Sequence, residues 1–217
     1  MGRYGNGASV EDIARAAGCS EGSVENYTNR CFEAILSLQS QFVRKLTPAE
    51  KEIGNTPSNL RIVDFTHGMT GSAHDATAFE HTTAAMHPDW FFDGEEFAWA
   101  DSAYAVNSRT IPVHKKPASL EPMNALFDKV VAGLHVRSEH CIGALKGRFQ
   151  CLRGLRVHIN SNNNHYEACK WISVAIILHN IIIDVEGSQS AEHFQNVHGP
   201  DEEGEDTVEE LWVSQHE

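Results

Sequence analysis

The residues whose types and spacing could do chemistry lie in the stretch Arg137-Ser138-Glu139-His140-Cys141-Ile142-Gly143-Ala144-Leu145-Lys146-Gly147-Arg148-Phe149-Gln150. Ile142, Leu145, Phe149 and Leu152 follow Glu139 at helical spacing, which predicts a helix with one buried stripe. Gly143, Lys146 and Gln150 fall on the other face, with Glu139. A carboxylate that holds a metal ion beside a cation that holds a phosphate would look like this. So would a solvated helix face. The second acid of interest, Asp101, closes the short apolar run Phe97-Ala98-Trp99-Ala100, read as a buried strand. An acid at the carboxyl end of a buried strand is well placed for a site. Clustered carboxylates supply the hard oxygen ligands that Mg²⁺ or Mn²⁺ requires. Two such ions about 3.5–4 Å apart activate the attacking water or 3′-hydroxyl and stabilise the leaving oxygen of an in-line displacement. Two carboxylates hold two ions poorly, and a third is usually needed.

The elements that must position these residues can be read in chain order. Ser9 caps a short helix with Asp12 at the capping-box position, and Gly18 stops it. Ser20 caps a second helix with Val24, Tyr27, Cys31 or Phe32, Ile35 and Leu38 on its apolar side. Helix, glycine turn, helix is a helix-turn-helix pattern, which leaves Ser23, Asn26, Asn29 and Arg30 as outward candidates for DNA contact. The same pattern occurs in proteins that never touch DNA, and Glu21, Glu25 and Glu33 oppose phosphate binding. Leu60 to Phe65 alternates and is β-rich, so a strand is expected. Asp75 suits the first turn of a helix running to about Met86, in a capping role. Ala168 to Asp184 is apolar almost all round, a buried helix in which His179 and Asn180 are read as hydrogen-bonded core residues.

Charge is unevenly spread over the 217 residues: the net −13 includes ten acids and no Lys or Arg from Glu186 onward. The body is close to neutral and carries a basic zone of Arg137, Lys146, Arg148, Arg153 and Arg156. Lys146, Arg148, Arg153 and Arg156 are therefore phosphate-contact candidates. Five cysteines, never spaced as CxxC, fit a reducing intracellular compartment. The apolar stretch Trp171 to Ile183 is too short for a bilayer, so no membrane is expected. The acidic tail from Gly187 is expected to be disordered and able to bind a protein partner, through Leu211 and Trp212.

Several motifs then occur in order: Leu60-Arg61-Ile62-Val63-Asp64-Phe65, Gly71-Ser72-Ala73-His74-Asp75, Ala100-Asp101-Ser102-Ala103-Tyr104, Arg137-Ser138-Glu139-His140, Leu145-Lys146-Gly147-Arg148-Phe149 and Leu178-His179-Asn180. Together they resemble the DDE superfamily endonuclease domain of PIF/Harbinger transposases and the host nucleases derived from them. The resemblance implies an α/β, ribonuclease H-like fold, a mixed sheet flanked by helices, behind a helix-turn-helix segment. It also implies Mg²⁺- or Mn²⁺-dependent cutting and joining of DNA, and a nuclear location with the cytoplasm as a second compartment. Asp101 corresponds to the family's second catalytic acid and Glu139 to the third, both as metal ligands, with Lys146 steadying the phosphate. No catalytic role comes over to Asp75. The family's first acid lies on a strand for which this chain has no counterpart between Glu50 and Asn59, so the first two strands are expected to be missing. Asp64 is the one stand-in to consider, and alternation places it on a different strand. The expected organisation is a helical segment over 1–51, a partial endonuclease domain over 52–186 and a tail over 187–217. The expected function is a DNA endonuclease impaired by the missing acid, or alternatively a non-catalytic nuclear DNA-binding or protein-interaction protein.

Overall fold

The computed structural model describes residues 8–53, 60–154 and 158–186. Helices dominate the described residues: α1 (Val10–Ala17), α2 (Glu21–Leu36), α3 (Gln39–Phe42), α4 (Pro48–Ile53), α5 (Asp75–Phe79), α6 (Thr83–Met86), α7 (Pro88–Phe91), α8 (Pro122–Arg148) and α9 (Asn162–Glu186). Two short strands, β1 (Ala98–Ala100) and β2 (Thr110–Pro112), pair in parallel with Ala98 opposite Thr110 and Ala100 opposite Pro112. Among the described residues this is a small open sheet with flanking helices, compatible with a reduced ribonuclease H-like domain; of the mixed sheet expected without its first two strands, one parallel pair is present.

The N-terminal helices form where local chemistry directs. Ser9 and Asp12 complete a reciprocal capping box, and Gly18 ends α1 in the left-handed region at φ 65°. The apolar side of α2 differs from the spacing argument in one respect: Tyr27 is 62% exposed, and Phe32, not Cys31, enters the core. Phe32 does so because α2 lies on α9, where its ring meets Trp171 edge-on at 4.5 Å. Lys170 reinforces the contact by reaching Glu33 at 3.3 Å.

α9 is the centre of the molecule. Ile177, His179 and Asn180 are its most deeply buried side chains, and Ala175 and Ile176 pack with Leu145, Phe149 and Cys151. By length and composition alone α9 could cross a membrane, and it is longer than the apolar run read from the sequence. Its buried faces, with Ser173, Lys170, His179 and Asn180 among them, instead organise the core of a folded domain.

Leu60 to Phe65 is not a strand. Its backbone groups are taken by side chains from the helices. Asn180 Oδ1 accepts the Ile62 N–H at 3.0 Å while Asn180 Nδ2 donates to the Ile62 carbonyl at 2.7 Å and to the Phe42 carbonyl at 2.9 Å. The Leu60 carbonyl accepts from His179 Nε2 at 2.9 Å and from the Cys141 thiol at 3.1 Å. Alternation predicts a strand, but a strand also needs a neighbour, and here an asparagine side chain takes that place.

Charged groups lock α4 onto this layer. Arg44 grips Glu50 at 2.8 and 3.0 Å, Glu50 closes a capping box with Thr47, and the buried Arg61 guanidinium is paired bidentately with Asp184. The Arg44 guanidinium, then the Thr47 N–H, hold the Glu50 carboxyl at about 2, far below its ordinary value of 4.5. A depressed carboxyl contributes stability that is present above the unfolded value and lost as pH falls toward the folded one. Glu50→Gln should therefore cost ~1–2 kcal/mol at pH 7, after discounting for solvent screening, with the difference shrinking between pH 4.5 and 2. Urea unfolding of both proteins across that range checks it; a constant difference would show that the carboxylate charge is irrelevant.

Candidate active site

β1 delivers Asp101 to its carboxyl end, with the Val113 N–H bonded to the Ala100 carbonyl at 3.1 Å, but it is not the buried strand expected, since Trp99 is 42% exposed. The Asp101 side chain is exposed and accepts the Ser102 N–H, a local turn contact. Its charge is felt by Tyr104. Burial raises the Tyr104 hydroxyl above its ordinary value, and the charges of Asp75 and Asp101 raise it further. The structure thus brings the acid of the Gly71–Asp75 motif into electrostatic reach of the same phenol as Asp101. The tyrosine is steadied by Phe79, 5.5 Å away edge-on.

Glu139 stands elsewhere. α8 is longer than the stretch around it, beginning at Pro122 and ending at Arg148, so Gln150 falls beyond the helix in a following 3₁₀ turn. β1 meets α8 near its start, where Trp99 lies 5.4 Å from Phe127. At 1.5 Å of rise per residue, Glu139 is on the order of 18 Å further along the axis than Phe127. Glu139 is exposed and has His135 3.8 Å away, one turn back. Among the described residues no three His, Cys, Asp or Glu side chains are gathered to hold a metal ion. The donor set among the described residues therefore does not fit a two-ion centre.

Asp64 does not stand in. Its carboxylate is occupied by two backbone donors, the Phe65 N–H at 3.0 Å and the Ala84 N–H at 2.8 Å, the latter at the start of α6. It lines a groove of about 350 Å³ between residues 60–64 and the Arg137, Ser138, Cys141 and Ile142 side of α8. Ile142 faces that groove at 42% exposure, so the buried stripe of α8 narrows to Val131, Ala144 and Leu145. Cys141 lies in its wall with its thiol pushed up to about 11 by burial, which makes it a hydrogen-bond donor and not a nucleophile.

The nucleic-acid candidates separate by environment. Lys146 and Arg153 are exposed near one end of α8. Arg148 is 15% exposed and reaches Glu186 at 3.2 Å. Arg156 lies outside the described residues. On α2, Asn26 and Arg30 are exposed, with the Arg30 guanidinium 5.9 Å from the Tyr27 ring, whereas Ser23 is half-buried and its hydroxyl is hydrogen-bonded to the Ser20 cap.

Sequence reasoning gave no part to His114. Two residues after β2, its ring Nδ1 and its backbone N–H both meet Asp128 Oδ1 at 2.9 Å, which clamps the strand end to α8. Burial pushes the Asp128 carboxyl up, but the His114 N–H groups outweigh it and leave it below its ordinary value. The two residues are fourteen apart on different elements, so no local signal pointed to the pair.

The chain matches the DDE superfamily endonuclease family over residues 53–180, more than half its length, and belongs to that family. No curated protein and no solved structure matches it significantly. The match covers Asp101, Glu139 and Lys146 and leaves α1 to α3 outside it.

Proposed function

We propose that the chain is a Harbinger-type, transposase-derived DDE protein that engages DNA in the nucleus and does not cut it. The observation that carries this reading is the separation of the two surviving acids: Asp101 follows the strand that meets the first half of α8, and Glu139 is exposed on the second half. In-line phosphodiester displacement needs ligands converging on one place. DNA contact needs only exposed cations and a docking helix, and Lys146, Arg153, Asn26 and Arg30 supply these. In this reading Asp101 and Glu139 are inherited ligand positions, and Lys146 keeps its phosphate role without the chemistry. A protein partner recruited through the acidic tail, outside the described residues, is compatible with it.

Plasmid DNA incubated with the protein and Mg²⁺ or Mn²⁺ tests the catalytic half, beside an Asp101→Asn, Glu139→Gln double variant. Equal, background-level nicking is expected; cleavage by the wild type that the double variant loses would restore the endonuclease reading. Gel shifts across a salt series test the binding half. Affinity should fall with salt, and Lys146→Ala or Arg30→Ala should each weaken binding about equally on all sequences and lower the salt slope by about 1. Absence of any shift at low salt would remove DNA from the proposal.

A further inference from the structure

One group of metal-ligating side chains is left over by the DDE reading. His165 and Cys169 occupy successive turns of α9, with His165 Nε2 3.8 Å from Cys169 Sγ. Tetrahedral zinc, with Zn–S about 2.3 Å and Zn–N about 2.0–2.1 Å, places its sulfur and nitrogen ligands about 3.6 Å apart. Residues four apart on a helix are a common way to present two ligands to one ion. The loop before the Gly71–Asp75 motif runs over this pair. At Gly68, where φ is +82°, an added Cβ would lie 3.4 Å from His165 Cε1 and 3.6 Å from Cys169 Sγ. A bare backbone thus covers the two ligands. The residue before it, His67, is exposed, and its Nε2 makes a 2.9 Å hydrogen bond to Ser173 Oγ, one turn beyond Cys169 on the same side of α9.

We infer that His165, Cys169 and His67 form a binding site for a thiophilic divalent ion of the zinc class. Two ligands are already at bite distance. The third, now on Ser173 one turn beyond Cys169, must leave that hydroxyl and turn toward the pair, and water takes the fourth position. Before binding, no three ligands are gathered among the described residues, so the site assembles on the metal. Binding takes the Cys169 proton to solvent and leaves both imidazoles neutral, so affinity rises with pH. The sulfur selects against Mg²⁺, which prefers oxygen, and separates this site from the acids of the family's chemistry.

Cobalt(II) is the probe, because a thiolate ligand gives it a near-ultraviolet charge-transfer band. Titration of the full chain should give that band at one ion per chain, displaced by Zn²⁺ and unaffected by Mg²⁺. Cys169→Ser should abolish it, and His165→Ala and His67→Ala should each weaken binding at least about 10-fold, the lower bound for losing even a supporting group. Far-ultraviolet circular dichroism of the metal-free variants shows that the fold is kept. On the wild type, Zn²⁺ should slow alkylation of Cys169, read peptide by peptide, relative to exposed Cys19 and Cys31. Absence of the band, a band retained in Cys169→Ser, binding unweakened in either histidine variant, or alkylation of Cys169 unaffected by zinc would each overturn the site.

Discussion

Asn180→Leu should destabilise the protein by about 3–5 kcal/mol, the cost of leaving several buried polar groups without partners. Leucine keeps the branching of the side chain and is somewhat larger, so no cavity opens; the main loss is polar, with some crowding added by the bulkier methyls. Asn180 is fully buried and serves three backbone groups: the Ile62 N–H, the Ile62 carbonyl and the Phe42 carbonyl. Each net hydrogen bond contributes only about 1 kcal/mol, but each orphaned buried group costs about 1–3 kcal/mol. Asn180→Asp separates the two functions of the amide. It retains the acceptor for the Ile62 N–H and turns a carboxylate toward two carbonyls, so it should be at least as damaging as leucine. Urea unfolding followed by circular dichroism measures both. A loss below about 1 kcal/mol for either would mean that Leu60 to Phe65 is held by apolar packing of Ile62 and Phe65 and not by the amide.

The same residue shows where the sequence was legible. The Ser9–Asp12 box, the Gly18 stop and the Ser20 cap were readable because each is settled within four residues. The acid at the end of β1 was readable because an apolar run ending in Asp is local too. The fate of Leu60 to Phe65 was not, since its partner is a side chain 118 residues away, and alternation is silent about neighbours. Tyr27 and Phe32 fitted the apolar spacing of α2 equally, and only Trp171 on α9 decided which was buried.

The reading of Asp101 and Glu139 was limited in the same way. Motif order can only propose that the two acids belong to one site; whether they converge depends on what holds β1 against α8. Here Trp99 meets Phe127 and His114 is clamped by Asp128, both on the first half of that helix. Glu139 and Lys146 share a face as the spacing required, but β1 meets the helix at Phe127, about three turns before Glu139. With no strand pairing residues 60–65, nothing among the described residues draws the sheet along the helix toward Glu139. The family membership of residues 53–180 and the absence of a gathered ligand set are therefore compatible. Family membership is a property of the matched sequence, whereas a metal centre requires the scaffold to gather its ligands in one place.

His179 should make the protein sensitive to mild acid. Its ring is buried, and Nε2 faces the Leu60 carbonyl at 2.9 Å, so the hydrogen sits on Nε2 and Nδ1 carries a lone pair. Among the described residues that Nδ1 has no hydrogen-bond partner, so a proton placed there would be buried and unanswered. Burial lowers the imidazole below its ordinary value of 6.5; the Leu60 carbonyl opposes this and the positive charge of Arg148 adds to it. The sign follows: the folded state binds this proton less well than the unfolded chain does. Stability is therefore complete above the ordinary histidine range and falls as pH drops through it, at up to about 1.4 kcal/mol per pH unit from this one group. His179→Gln keeps an N–H for Leu60 and cannot titrate. It should be less stable than the wild type at pH 7.5, because its amide fits the site imperfectly, but should lose less on going to pH 5.5. Unfolding midpoints of the two proteins at both pH values decide the matter. Parallel losses would assign the acid sensitivity to the other histidines and leave His179 as a packing residue alone.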